Sequence, residues 1–247
     1  MIEQLWKEYN SKKDEKIRDQ LIIACLPYVK STAQRLSIYA NSAQDADDLV
    51  NAGIIGLIDA IDKYDPSKGA SFKNYAQHRI RGSIMDEIRS MDWVPYSTRE
   101  KARRIEKVYA EIEKNGKKEI DEEEIASKLG MTLDQYYEAL LEINRMSVSL
   151  LDDIFHNDDE IASNNDSVDP EKELLMTETE TLVGEAIEKL PEKERLVITL
   201  YYYEEMTMKD IGKSMKVTES RVCQLHSSAI LRLHAKLKHA GMEISTK

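Results

Sequence analysis

The chain has 247 residues, one third of them charged, and a formal net charge of −11. Scarce glycine and proline (9 and 5) suit an all-α protein with modest cores and charged surfaces. No apolar run approaches the ~20 residues that cross a bilayer, and the N-terminus lacks the basic-then-apolar pattern of a signal peptide, so a cytoplasmic protein without membrane contact is expected.

Taken in chain order, Ile17, Leu21, Ile22, Cys25, Val29, Ala33 and Leu36 recur at helical spacing, and Pro27 is predicted to bend or break that helix. Asp45, Asp47 and Asp48 then open a strongly apolar helix, where acids favour the helix dipole. "DPSKG" (65–69) is a turn, and one long helix follows from Ser71, whose hydroxyl is a candidate N-cap. Pro95 ends it. A second helical unit runs from Thr98 to about Asn144 and holds a helix–turn–helix: Ile125, Leu129, then "GMT", with Thr132 capping the next helix. Residues 147–180 lack helical period and are rich in Asp, Asn and Ser, as expected of a linker. A third helical unit covers 181–240. Within it Thr207 caps a short helix carrying Ile211 and Met215, and Thr218 caps a longer one. Val222, Leu225, Ala229, Leu233 and Leu237 form the buried stripe of that longer helix, with Glu219, Ser220, Arg221, Cys223, Gln224, Ser227 and Ser228 predicted to project elsewhere. Three small helical units joined by linkers is the architecture these patterns imply.

Charge is unevenly placed. Residues 73–107 hold nine Lys/Arg against five acids, and 207–238 hold seven against two, whereas 150–180 hold eleven acids and one lysine. Local basicity on a helix–turn–helix points to DNA, because the first residues of the second helix meet base edges in the major groove. Arg221 and Gln224 have the donor and acceptor geometry for guanine or adenine. The first basic island differs in kind: Phe72, Tyr75, His78, Arg79, Arg81, Arg89 and Trp93 interleave planar rings with cations, the mixture that grips an unstacked strand. Phe72 and Tyr75 read equally well as core residues. No metal-ligand spacing, nucleophile–base pair or phosphate-cradling glycine loop is present, so neither a metal, nor a cofactor, nor an enzyme is indicated.

"DADDLVNAGIIGLIDAIDKYDPSKGASFKNYAQHRIRGSIMDEIRSMDWVP", "STREKARRIEKVYAEIEKNG" and "AIEKLPEKERLVITLYYYEEMTMKDIGKSMKVTESRVCQLHSSAILRLHAKL" resemble regions 2, 3 and 4 of bacterial alternative sigma factors of the motility (FliA/WhiG) group, over roughly residues 12–240. The resemblance implies a dissociable subunit, not itself an enzyme, that gives core RNA polymerase its promoter specificity. It divides the chain into region 2 (1–97), region 3 (98–146), an acidic linker (147–180) and region 4 (181–247).

The same resemblance supplies roles. Asp48, Leu49, Asn51, Ala52, Ile54 and Ile58 would bind the clamp helices of the largest polymerase subunit, and region 4 would meet the flap of the second largest. Phe72, Tyr75, His78, Arg79, Arg81, Asp86, Arg89 and Trp93 would act at the −10 element, and Arg99, Lys101 and Arg103 at its upstream duplex edge. Thr218, Glu219, Ser220, Arg221, Cys223, Gln224, Ser227 and Ser228 would read the −35 element. The linker would imitate a nucleic-acid strand in the polymerase channel, and an anti-sigma protein would hold the factor inactive. Tyr96 stands where the group is expected to carry arginine. Two neighbouring readings stand beside this one: a stress or sporulation sigma factor, and a stand-alone helix–turn–helix or protein-docking regulator.

Overall fold

The computed structural model describes residues 1–40, 43–91, 95–114, 121–144 and 181–239, and among them every regular element is helical. The chain forms two compact units, Met1–Trp93 and Val94–Lys247.

The first unit begins with α1 (Ile2–Lys12), which stops where Lys13 takes a left-handed backbone at φ 50°. Asp14 starts α2 (Glu15–Leu36) by accepting a hydrogen bond from the Lys16 amide at 2.8 Å. Of the bend or break expected at Pro27, the break does not occur, and α2 runs through the proline. The proline and Ile23, whose carbonyl it leaves unbonded, are both exposed, so water can serve that carbonyl. Burial of Leu21, Cys25 and Val29 on the opposite side holds the helix together. α3 (Ala43–Lys63) and α4 (Phe72–Met91) complete the unit. Ser71 caps α4 as its sequence indicated, its hydroxyl accepting from the Asn74 amide at 3.2 Å. Leu49, Leu57 and Ile61 of α3 and Ile80, Ile84 and Ile88 of α4 are buried, and the two helices pack together.

α3 and α4 touch along a glycine. A Cβ on Gly56 would lie 2.7 Å from the Arg79 carbonyl oxygen and 2.7 Å from the Ser83 Cβ. The neighbour is backbone, which cannot swing aside. Gly56→Ala is therefore expected to cost about 1–3 kcal/mol of stability in the first unit, the range for overpacking a core. Urea unfolding followed by circular dichroism measures it, and an unchanged midpoint would contradict the close approach.

The second unit contains α5 (Tyr96–Lys114), α6 (Glu122–Leu129), α7 (Leu133–Asn144), α8 (181–188), α9 (Glu192–Ile198), α10 (Met208–Met215) and α11 (Glu219–His239), with a wider π turn after α9 over Thr199–Tyr203. Local signals read from the sequence hold here. Thr132 and Gln135 cap α7 reciprocally, at 3.2 and 3.0 Å. Thr207 and Thr218 cap α10 and α11, accepting at 3.2 Å from the Asp210 and Arg221 amides.

The second and third helical units inferred from the sequence do not stand apart. Ile105, Tyr109, Ile125, Tyr136, Leu140 and Ile143 share one core with Leu190, Ile198, Ala229, Ile230 and Leu233. Ile230, Leu231 and Ala235 give α11 a second apolar side beyond the stripe read from periodicity, and α11 packs against α5 and α7 as well as α9 and α10. The acidic stretch 147–180 lies outside the described residues.

Candidate nucleic-acid interface

α4 carries the first set of candidate residues. Phe72 has no exposed surface: it stacks on Trp6 at 5.9 Å and meets Tyr64 edge-on at 5.4 Å, so it belongs to the core. Tyr75 is half-buried and lies against Tyr64 at 5.5 Å. His78, Arg79 and Arg81 are exposed, with Gly82, along the same helix. Arg79 is ion-paired with Asp59, and Asp59 also holds Lys63 at 2.7 Å. The hydrogen bond from Lys63, helped by Arg79, keeps the Asp59 carboxyl below its ordinary pKa. Arg89 bonds Asp86 at 2.6 Å. Trp93 lies outside the described residues.

The other side of α4 faces α3 across an open cleft of about 390 Å³, lined by Asp48, Asn51, Ala52, Ile55, Ser83, Asp86 and Glu87. Asp86, assigned from the sequence to the DNA side, lines this cleft. Of the residues assigned to polymerase binding, Asp48 and Asn51 are exposed, Ile54 and Ile58 half-buried, Ala52 buried, and Leu49 fully buried beneath them. Ile55, 64% exposed, was missed by sequence reasoning. Its signal was available, because position 55 follows Asp48 and Asn51 by seven and four residues on one helical face.

In the second unit Arg99 and Arg103 are exposed, Tyr96 is 76% exposed, and Lys101 pairs with Glu142 at 2.6 Å. α10 and α11 form the helix–turn–helix. Its turn brings backbone within reach of Gly212, where a Cβ would stand 3.0 Å from the Val217 carbonyl oxygen. Thr218, Glu219 and Ser220 are exposed and Gln224 is half-buried.

Three residues expected to project from α11 do not. Cys223, Ser227 and Ser228 are buried, because α5, α7 and α9 cover that side of the helix. Burial pushes the Cys223 thiol up to about 11. Ser228 Oγ donates to Glu194 Oε1 at 2.8 Å and contacts the Tyr109 hydroxyl at 2.8 Å, while Tyr109 meets Tyr136 at 2.6 Å. Ser227 donates to Asn144 Oδ1 at 3.2 Å. Small polar side chains in a recognition helix look ready for base edges; here they serve a buried polar contact between α11 and the helices before it.

Arg221 is held too. Its Nη2 donates to both oxygens of Glu122, at 2.9 and 3.0 Å, and its guanidinium lies 5.1 Å from the centre of the Tyr137 ring. Tyr137 donates to the same Glu122 at 2.5 Å. Glu122, Asn144 and Glu194 were not singled out from the sequence. An acid in a first helical turn and a polar residue at a helix end look ordinary until the facing helix is known.

The profile for Sigma-70 region 2 matches residues 21–94, that for region 3 residues 100–173 and that for region 4 residues 186–235. RNA polymerase sigma factor FliA of Escherichia coli K12 is 40% identical over 216 residues, covering 86% of this chain and 90% of that one. RNA polymerase sigma-D factor of Bacillus subtilis 168 is 33% identical over 235 residues, covering 93% and 92%. A solved structure of the flagellar sigma/anti-sigma complex Sigma-28/FlgM aligns with a TM-score of 0.58 at 34% identity, covering 92% of this chain and 97% of that one. Three successive regions in order, on a chain matched nearly end to end, leave one conclusion: the chain belongs to the sigma-70 family, as an RNA polymerase sigma factor of the FliA/sigma-D flagellar group.

Proposed function

We propose that the chain docks on core RNA polymerase through the α3 side of the first unit and directs initiation at flagellar promoters, acting in the cytoplasm as a specificity subunit without a catalytic site of its own. The observation that supports this most is the two-sided chemistry of α4. One side exposes His78, Arg81 and Gly82 beside the half-buried Tyr75 and Arg89; the other joins α3 in a cleft that is acidic around an exposed isoleucine. A cationic and aromatic row suits the −10 strand, and an apolar spot rimmed by acids suits a protein partner. Arg99, Lys101 and Arg103 would meet the upstream duplex, and α10–α11 the −35 element. The linker 147–180 would run through the polymerase.

The structure corresponds, on this reading, to a closed form of region 4. Glu122 takes Arg221 Nη2 and Gln224 accepts from its Nη1, nitrogens that would otherwise meet a base or phosphate, and reading through Ser227 and Ser228 requires α11 to part from α5 and α7. The chain's acids thereby restrain its cations until polymerase draws the regions apart. Glu122→Gln is expected to raise the affinity of the free chain for a −35 duplex about tenfold, because a charge-assisted hydrogen bond is roughly twice as strong as a neutral one. Fluorescence anisotropy checks this, and unchanged affinity would contradict the competition. Because the aligned solved structure pairs its sigma factor with an anti-sigma protein, we assign this chain a partner of the same kind.

Footprinting tests the reading. Core polymerase and the chain together should protect both the −35 and −10 elements of a flagellar promoter, and neither component alone should do so. Protection of duplex DNA by the chain alone would instead mark a stand-alone regulator.

A further inference from the structure

We infer that α1 is a positioning element for the strand-opening face of α4, acting through Trp6 and Glu3. The inference rests on the sigma-factor reading above and deepens it. α1 is eleven residues long, a length at which a helix in water is marginal without tertiary support. It buries one side chain only, Trp6, and that ring enters the aromatic cluster at the N-terminal end of α4. Trp6 meets Tyr64 edge-on at 4.6 Å and stacks on Phe72 at 5.9 Å. Tyr64 is fixed from a second direction, its hydroxyl donating to the Ala70 carbonyl at 2.6 Å. Tyr75 in turn lies on Tyr64. The order of support is therefore Trp6, Tyr64, Tyr75, and Tyr75 is the first ring of the row that continues through His78 and Arg81.

Glu3 makes the second connection. The first amides of a helix have no partner within it. Ser71 serves the Asn74 amide, and the Lys73 amide donates instead to Glu3 Oε1 at 2.9 Å, seventy residues away in sequence. A carboxylate at this end also suits the helix dipole. So one short helix supplies both a ring beneath Tyr64 and a cap on α4, at the point where the aromatic row starts.

Among the described residues the buried Trp6 N–H has no hydrogen-bond partner. The indole therefore works through its ring and not its polar edge, which separates this role from that of a hydrogen-bonded core tryptophan. A phenylalanine should replace it.

The test uses holoenzyme assembled from core polymerase with the wild-type chain, Trp6→Ala, Trp6→Phe or Glu3→Gln. Promoter opening is read by permanganate reactivity of thymines on duplex DNA, alongside transcription from a template with a pre-melted −10 region. Trp6→Ala is expected to slow opening about tenfold, within the range for one lost aromatic–base stack. It should bind core polymerase as wild type does and stay within about twofold of wild type on the pre-melted template. Trp6→Phe should open at the wild-type rate, and Glu3→Gln should fall between wild type and Trp6→Ala. Opening by Trp6→Ala at the wild-type rate would overturn the inference. So would an equal loss on both templates together with weakened polymerase binding, which would mark a general loss of structure, or a Trp6→Phe variant as slow as Trp6→Ala. If the wild-type holoenzyme opens no promoter, the sigma-factor reading itself fails, and that outcome is distinct from all the others.

Discussion

Arg232→Ala is expected to lower the stability of the second unit by about 3–5 kcal/mol, the range for stripping one partner from a buried ion pair. Arg232 Nε donates to Glu194 Oε1 at 3.1 Å, and the two side chains are only 12% and 7% exposed. The guanidinium also lies over the Tyr109 ring, 4.3 Å from its centre. Burial raises the Glu194 pKa, and the opposing charge of Arg232 pulls it back toward its ordinary value. Without the arginine, that carboxyl keeps the desolvation and loses the attraction. Replacing both partners tells the two contributions apart: Glu194→Gln with Arg232→Met removes the charges together and should recover most of the loss. Urea unfolding of the wild type and these two variants measures this. A single substitution costing under about 1 kcal/mol would place the pair in solvent, at odds with its burial.

Acid should weaken the same unit through His226. Its Nδ1 faces Asn144 Oδ1 at 3.0 Å, its Nε2 faces the Tyr202 hydroxyl at 3.0 Å, and Tyr201 packs edge-on at 5.2 Å. An amide oxygen can only accept, so Nδ1 carries the proton and Nε2 accepts from Tyr202. Full burial disfavours the charged ring and lowers its pKa from 6.5 to about 3. The sign follows directly. Below 6.5 the unfolded chain takes up a proton that the folded chain refuses until about pH 3, so stability is complete above 6.5 and is lost as pH falls through that window. Between pH 7 and pH 5 the loss is about 2 kcal/mol, at about 1.4 kcal/mol for each pH unit below 6.5. His226→Gln removes the titration. Unfolding free energies at pH 7 and pH 5 should therefore converge between wild type and variant, and parallel profiles would contradict a buried neutral imidazole.

Both expectations concern a contact that could not be read from one sequence. The helix caps at Ser71, Thr132, Thr207 and Thr218 were legible because a cap is decided within three residues. The stripe from Val222 to Leu237 was legible because burial on one side imposes a period. Cys223, Ser227 and Ser228 were misread because their burial depends on α5, α7 and α9, brought there by chain folding. Pro27 does not break α2 for a related reason, since tertiary packing of the helix overrides a local preference. α1 went unseen because a single buried residue makes no pattern. On the candidate site, the cationic row of α4 was visible in composition and Ile55 in the helical spacing from Asp48 and Asn51, whereas Glu122 and Trp6 acquire their parts only from neighbours in space.

Run-off transcription asks directly whether the chain gives core polymerase its promoter specificity. Core polymerase would be given a flagellar-type template and a housekeeping template, with and without the purified chain. A discrete transcript is expected from the flagellar template only, and only when the chain is present. No transcript from either template, with the chain binding tightly to duplex DNA by itself, would contradict it.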